Sequence, residues 1–424
     1  MSEWKEYKLE DVCLKITDGS HFSPKVDPNG KRIIGTVKDM LDYSFNIENC
    51  KRINEEEYEK LLKNDCRPIH NDILFSKDGT IGKVIVFDFE LDIVLLSSIA
   101  IIRPNTSLIN PRFLAYILKS KKSQDEINEN YKSGSAIPRV ILRDFKRFPI
   151  SIPDLPTQIA IAEILSSLDD KIELNNKINH ELENLAQTLF KQWFIDFEFP
   201  NENGEPYKSS GGEMVDSELG EIPKGWGIYS MADLLQTISK TYPLKSVSEV
   251  VFLNTGDIQD GKFLHCNKSN PKTLPGQAKK SIQKNDILYS EIRPANKRYA
   301  FVHFDSSKYV VSTKLMVLRS KVPVSSLFQY FILTQSDHIN YLQQLAESRS
   351  GTFPQITFTE ISTIKVVLPS FDNLNQFVDS VLEPFFNNKF KIESENTELT
   401  TLRDTLLPKL ISGELEVSQI KTAS

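Results

Sequence analysis

The chain is poor in the residues that bring chemistry with them. Its 424 residues include 4 cysteines, Cys13, Cys50, Cys66 and Cys266, set far apart and never as a CxxC pair. That spacing supports neither a disulfide framework nor a zinc site, so reduced thiols in a cytosol are expected. Long apolar runs are missing as well. The most apolar stretch, residues 93–102, is interrupted by Ser97 and Ser98 and is far too short to span a bilayer, so no membrane partner is expected. The start, with Glu3, Trp4, Lys5 and Glu6, has no apolar core, and no signal peptide is expected. The 6 histidines (21, 70, 180, 265, 303, 338) form no HxxxH or HExxH pattern. No Walker A sequence occurs: residues 78–83 contain a Gly-Lys, but the spacing is wrong and Val84 stands where Ser or Thr is needed. Without a Pro-Pro pair, the signature of amino-methyltransferases is absent too. Glu57-Tyr58-Glu59-Lys60 imitates a nuclease ExK, but reads as a solvated helix face. The expectation is no catalytic residue, no metal site and no cofactor site in this chain.

What the sequence does contain, it contains twice. Residues 71–76 (Asn-Asp-Ile-Leu-Phe-Ser) return as residues 285–290 (Asn-Asp-Ile-Leu-Tyr-Ser), at an offset of 214. Trp4 returns as Trp226. Ser133 to Pro138 returns, one residue shorter, as Ser350 to Pro354, and an apolar strand ending in Pro153 returns as one ending in Pro369. The period is far longer than the 20–50 residues of a solenoid unit. It is half the protein: a globular domain followed by a long helix. Such a duplication sets two similar surfaces at a fixed separation, which suits a ligand with two separated parts.

The expected fold class is α+β: two similar globular domains, each followed by a long helix, the two helices pairing as an antiparallel coiled coil. The boundaries read as a first domain over 1–155, a helix over 156–197, a polar linker over 198–222, a second domain over 223–370, a second helix over 371–412 and a tail over 413–424. In the first domain, residues 81–87 and 94–102 read as strands, and residues 111–118 and 121–131 as short helices. From Thr157, a candidate N-cap, Leu165, Ile172, Asn179, Ala186 and Trp193 recur every seven residues, with Leu168, Asn175, Leu182 and Leu189 interleaved. Asn175 and Asn179 are polar seam positions of the kind that set register. Val378, Phe385, Ile392, Leu399 and Leu406 form the second seam. Pro384 and Pro408 should mark a helix start or kink. Together the seams would act as a ruler between the two domains.

The net charge of −6 argues against a nucleic-acid partner until it is divided by region. Residues 1–155 are neutral, 156–222 carry −10, 223–370 carry +8 and 371–424 carry −4. Phosphate attraction acts within a Debye length, so the basic second domain matters more than the total. Within it, residues 262–298 concentrate Lys279, Lys280, Arg293, Lys297 and Arg298, with Tyr289 and Tyr299 among them as candidates to reach bases. In the first domain Arg139 and Arg143 belong to a weaker basic stretch, and Asp18-Gly19-Ser20-His21 can form a groove-reading loop. Lys77, and Ser135 and Thr352 of the repeated loop, complete the candidates. Arg139 and Gln355 follow the proline of that loop at matching positions; Arg suits guanine and Gln suits adenine. A coiled-coil scaffold with peptide-binding domains is the alternative reading, and a nuclease with an unrecognised site a third.

Three further stretches point to a family. They are residues 17–25 (Thr-Asp-Gly-Ser-His-Phe-Ser-Pro-Lys), 219–226 (Leu-Gly-Glu-Ile-Pro-Lys-Gly-Trp) and 406–415 (Leu-Leu-Pro-Lys-Leu-Ile-Ser-Gly-Glu-Leu). With the duplication, they make the chain resemble the specificity subunit of type I restriction-modification systems over nearly its whole length. The resemblance implies two target-recognition domains joined by antiparallel helices, and a bipartite double-stranded DNA target. It implies two methyltransferase subunits and restriction/translocase subunits as partners. Those partners would carry S-adenosylmethionine, ATP and magnesium. The second domain lacks a clear Asp-Gly-x-His loop, a departure from the first.

Overall fold

The computed structural model describes residues 3–134, 138–349 and 354–417. The chain divides into two compact units, one made of Met1–Ile178 with Ile392–Ser424 and the other of Asn179–Lys391.

The first unit is centred on a four-stranded antiparallel sheet in the order Cys13–Asp18, Ile99–Pro104, Asp72–Ser76, Val84–Phe87. A second sheet orders Lys51–Ile53, Arg32–Gly35 and Ile93–Leu95, the last two parallel. The strand Asp72–Ser76 is buried throughout, because the period of two sends Ile73 and Phe75 to one core and Leu74 to another. On the first side lies the helix Pro111–Lys119, capped by Asn110 and carrying Phe113 and Leu114 into the core. Residues 94–102 do not form one strand. Ile93–Leu95 pairs in the second sheet and Ile99–Pro104 in the first, and the chain turns between them at Ser97 and Ser98. Likewise the strand expected from Ile81 begins only at Val84, because Gly82, at φ 97°, still belongs to the preceding turn.

The second unit repeats this plan. Its antiparallel sheet runs Leu235–Thr237, Leu315–Ser320, Ile287–Ser290, Tyr299–Phe301. Its second sheet contains the parallel pair Val250–Leu253 and Tyr309–Ser312, and gains a strand at Ala278–Ser281. The duplication reaches single atoms. Buried Asp72 is held by Arg103 through two hydrogen bonds of 2.8 Å, and buried Asp286 by Arg319 through bonds of 2.7 and 2.9 Å. The residues before them, Asn71 and Asn285, both stand at φ 71°.

The first long helix spans Leu155–Phe194, 40 residues, or roughly 60 Å at 1.5 Å per residue. Asp154, one turn earlier than expected, supplies the cap: the Thr157 N–H donates to its Oδ1 at 3.1 Å. Thr157 is already inside the helix. The second long helix runs through Phe371–Phe377, a wide π turn at Val378–Leu382, and Glu383–Ile411. The wide turn lies just ahead of Pro384, which has no N–H to give the preceding turn. Pro408 lies inside the last turns without ending the helix.

In the first unit the two helices run antiparallel: Asn175 Nδ2 donates to Glu395 and Asn396 at 2.9 and 2.8 Å, and Arg403 reaches Asp169 at 2.8 Å. Leu165 and Ile172 are buried there, and Leu168, Ile392, Leu399 and Leu406 half-buried. In the second unit Ala186, Phe190 and Val378 share one core, with Leu189 and Phe385 packed against it. Leu182 is half-buried and Lys389 pairs with Glu183 at 3.3 Å. Leu410, fully buried, joins the same core as Leu9 and Phe113, and Trp4 packs against that core. The stretch expected to be a plain linker is folded. Met214–Ser217 and Gly220–Pro223 pair as a hairpin, and the Phe199 ring stacks on Trp226 at 4.8 Å.

Candidate nucleic-acid interface

In the first domain the candidates converge on one edge. Gly19 follows the strand Cys13–Asp18 where any Cβ would lie 2.2 Å from the Leu95 carbonyl oxygen, so only glycine fits. Ser20 is buried and its Oγ accepts from the Phe22 N–H at 3.1 Å. Asp18 then meets His21 Nε2 at 3.1 Å and Lys77 Nζ at 3.2 Å. Lys77 also meets Asp78 at 3.4 Å, and Asp78 meets Arg139 at 3.1 Å. The result is a ladder of alternating basic and acidic side chains, His21–Asp18–Lys77–Asp78–Arg139. Lys77 sits inside it, its side chain 6% exposed, whereas Arg139 is 61% and His21 75% exposed. Lys77, one of the sequence candidates, is therefore a strut between two carboxylates and not a free cation. His21 and Arg139 face the solvent, each aimed by an aspartate. Arg143 stands outside the ladder, paired with Asp144. Ser135 and Thr352 lie outside the described residues.

Two loops build this edge, residues 77–83 and the loop through Arg139. The Gly79 N–H donates to the Pro138 carbonyl at 2.9 Å, the Val140 N–H to that of Lys77 at 2.8 Å, and Asp78 bridges to Arg139. The second domain repeats every one of these bonds. Arg293 N–H donates to Pro354 at 3.1 Å, Ile356 N–H to Glu291 at 2.8 Å, and Ile292 bridges to Gln355. Arg139 and Gln355 thus occupy one structural position. The side chains differ throughout: Glu291 for Lys77, Ile292 for Asp78, Arg293 for Gly79.

The loop Glu291–Arg298 also holds two cations in a conformation that glycine favours. Arg293 stands at φ 45° and Lys297 at φ 52°, flanking a tight turn at Pro294–Asn296. The corresponding residues of the first domain are Gly79 and Gly82, at φ 74° and 97°. The left-handed region costs a side chain roughly 1–2 kcal/mol. Both cations are exposed, and among the described residues neither makes an ion pair. Arg298 is half-buried and Lys279 exposed.

Two expectations for the basic interval need correction. Lys280 points inward and donates to the carbonyls of Thr313 and Leu315 at 3.0 and 2.8 Å. Burial pushes its ammonium below the usual lysine value. Strand alternation leaves Lys279 outside and takes Lys280 in. Tyr289 and Tyr299 are core residues, each at most 5% exposed, and cannot reach bases. The Tyr299 hydroxyl donates to Asp260 at 2.7 Å, while that of Tyr289 has no partner among the described residues. Asp78 is not among the candidates read from the sequence. The ladder makes it the residue that aims Arg139. Among the described residues no helix is long and apolar enough to cross a membrane, and no group of three or more His, Cys, Asp or Glu can hold a metal ion.

A chain of two α+β modules, each followed by a long helix and each displaying the same two-loop edge with different side chains, is a duplicated recognition protein. The model of the type I restriction modification DNA specificity domain matches it twice, over residues 1–184 and 223–401. The chain belongs to that family. It is 26% identical over 429 residues to the type I restriction enzyme MjaIX specificity subunit of Methanocaldococcus jannaschii, covering 99% of this chain and 95% of that one. The HindI specificity subunit of Haemophilus influenzae is 46% identical over 157 residues, 37% of this chain and 34% of that one. Among solved structures, the S subunit of a type I restriction-modification system from M. genitalium shares the fold, with a TM-score of 0.57 over 96% of both chains at 16% identity.

Proposed function

We propose that this chain is the non-catalytic, sequence-specific DNA-binding subunit of a cytoplasmic type I restriction-modification complex. Each globular domain takes one half of a bipartite target in double-stranded DNA. Two methyltransferase subunits and the restriction/translocase subunits assemble on the chain. S-adenosylmethionine, ATP and magnesium belong to those partners. The observation that carries this reading is the two-loop edge, whose backbone bonds are the same in both domains while its exposed side chains differ. One scaffold with two sets of side chains is what reading two different half-sites requires. A peptide-binding scaffold gives no reason for exposed cations that make no ion pair among the described residues, on a domain of net charge +8.

The test is reconstitution with a methyltransferase partner, followed by mapping of methylated positions on random-sequence duplex DNA. A two-part motif with a constant gap supports the proposal. Methylation without sequence preference, or methylation or cleavage by this chain alone, refutes it.

A further inference from the structure

We propose that the residue selecting bases for the second half-site is Arg293, which does there what Arg139 does in the first domain, and that its target is a guanine, with Lys297 on a neighbouring phosphate. This rests on the reading of the chain as a DNA-recognition subunit.

The argument begins from the shared backbone. In both domains the same bonds tie the residue at position 79 or 293 to the proline of the other loop, so the two loops form one surface. In the first domain that surface displays one guanidinium, Arg139, on the strand after the proline. In the second domain the corresponding residue is Gln355, and the guanidinium has moved across the bridge to Arg293, where the first domain has glycine. Among the described residues each domain thus has one exposed guanidinium on this surface, in a different place. Moving it changes which base pair lies within its reach without changing the scaffold.

The strain points the same way. Glycine at 293 and 297 would adopt these backbone angles freely, and the first domain uses glycine at both places. Strained residues persist where the surroundings dictate them, and they cluster at functional sites. Here the surroundings do dictate them. Besides the bond from Arg293 to Pro354, the Lys297 N–H donates to Pro294 at 2.8 Å and its carbonyl accepts from Asp260 at 2.7 Å. The Ala295 N–H donates to Gln343 at 3.0 Å, and Gln259 donates to the Asn296 carbonyl at 2.8 Å. The loop is held rigidly while the two side chains stay exposed. Arg139 is aimed by Asp78, but Ile292 takes that place in the second domain. Arg293 is aimed by its backbone instead.

The chemistry separates the two cations. A guanidinium matches O6 and N7 of guanine with two parallel donors, whereas an ammonium is a point charge suited to a phosphate. Arg293 therefore carries sequence information and Lys297 carries affinity.

The experiment compares the full chain, assembled with its methyltransferase subunits, with the variants Arg293→Gly, Arg293→Lys and Lys297→Gly, on duplexes randomised in each half-site. For Arg293→Gly the preference at one G·C position of the second half-site should relax by about tenfold or more. The first half-site should be unchanged, and the melting temperature should not fall. Arg293→Lys should relax the same position. Lys297→Gly should weaken binding to all sequences alike and lower the log–log salt slope by about 0.9. Unchanged second half-site preferences in Arg293→Gly would overturn the proposal, as would a loss spread over several positions with a lowered melting temperature. A native complex without any two-part preference would instead refute the DNA-recognition reading itself.

Discussion

Arg103 grips the buried carboxylate of Asp72 with two parallel hydrogen bonds of 2.8 Å, across neighbouring strands of the first sheet. Asp72 Oδ2 also accepts the Ile69 N–H at 2.8 Å, so the strand that leads to the recognition edge is fixed at its start. Arg319 and Asp286 do the same in the second domain.

Removing one partner of a buried pair leaves an uncompensated charge, which typically costs about 3–5 kcal/mol. Arg103→Ala should therefore destabilise the first unit by about that amount, and Arg319→Ala the second. Denaturant unfolding followed by Trp fluorescence and by hydrogen exchange of each unit checks this. A loss below about 1 kcal/mol for both variants would contradict it.

Adjacent lysines on one strand should behave differently. Lys279→Ala should keep the fold and lower the log–log salt slope of DNA binding by about 0.9. Lys280→Ala removes two internal hydrogen bonds and should lower the melting temperature with little change in slope. Salt titrations and thermal melts of both variants separate the two roles, and equal slopes for the two would refute the assignment.

The second unit should weaken in acid. His303 stacks on Phe390 at 3.6 Å and His338 donates to the Ile332 carbonyl at 2.9 Å. Burial holds both below the usual histidine value. The unfolded chain then binds more protons than the folded one once pH falls below about 6.5, so stability is present above that pH and is lost beneath it. His303→Phe keeps the ring against Phe390 and should flatten the decline. Melting curves between pH 5 and 8 on the two proteins test this, and identical curves would count against it.

Asn175→Ala should loosen the helix pair. It removes one seam bond each from Glu395 and Asn396, which keep Lys171 and Asn176 as partners, a loss of about 0.5–1.5 kcal/mol per hydrogen bond. Amide exchange should speed up around residues 169–178 and 392–400. Unchanged protection there would mean that the apolar seam alone holds the register.

The modular plan was legible because repeated words and a seven-residue period survive in the sequence. The heptads placed Leu165, Ile172 and Val378 at buried positions, and the repeated loop ending in Pro138 and Pro354 placed Arg139 and Gln355 at matching positions. Less legible was the direction of a side chain on a short strand. Lys280 and Tyr289 read as part of a basic, aromatic footprint because periodicity does not tell which face of an added or doubly covered strand meets solvent. Residues 94–102 hid a crossing between two sheets, since a strand leaving one sheet for another keeps the same apolar composition. The signal for Arg293 and Lys297 was present: extending the repeat alignment beyond Ser290 sets Arg293 against Gly79, and one extra residue in the second loop sets Lys297 against Gly82. Their significance depended on the backbone angles, which composition does not reveal.

Leu410, close to the end of the second long helix, is part of the core that contains Leu9 and Phe113. During synthesis the first domain leaves the ribosome long before that residue is made. It must wait, with part of its apolar surface open, while about 230 further residues are translated, some tens of seconds at 5–20 residues per second. The second unit, made from one continuous stretch, closes earlier. A chain stopped by a nonsense codon after residue 391 would keep the later-made unit whole and leave the earlier one with its core open where Leu410 belongs.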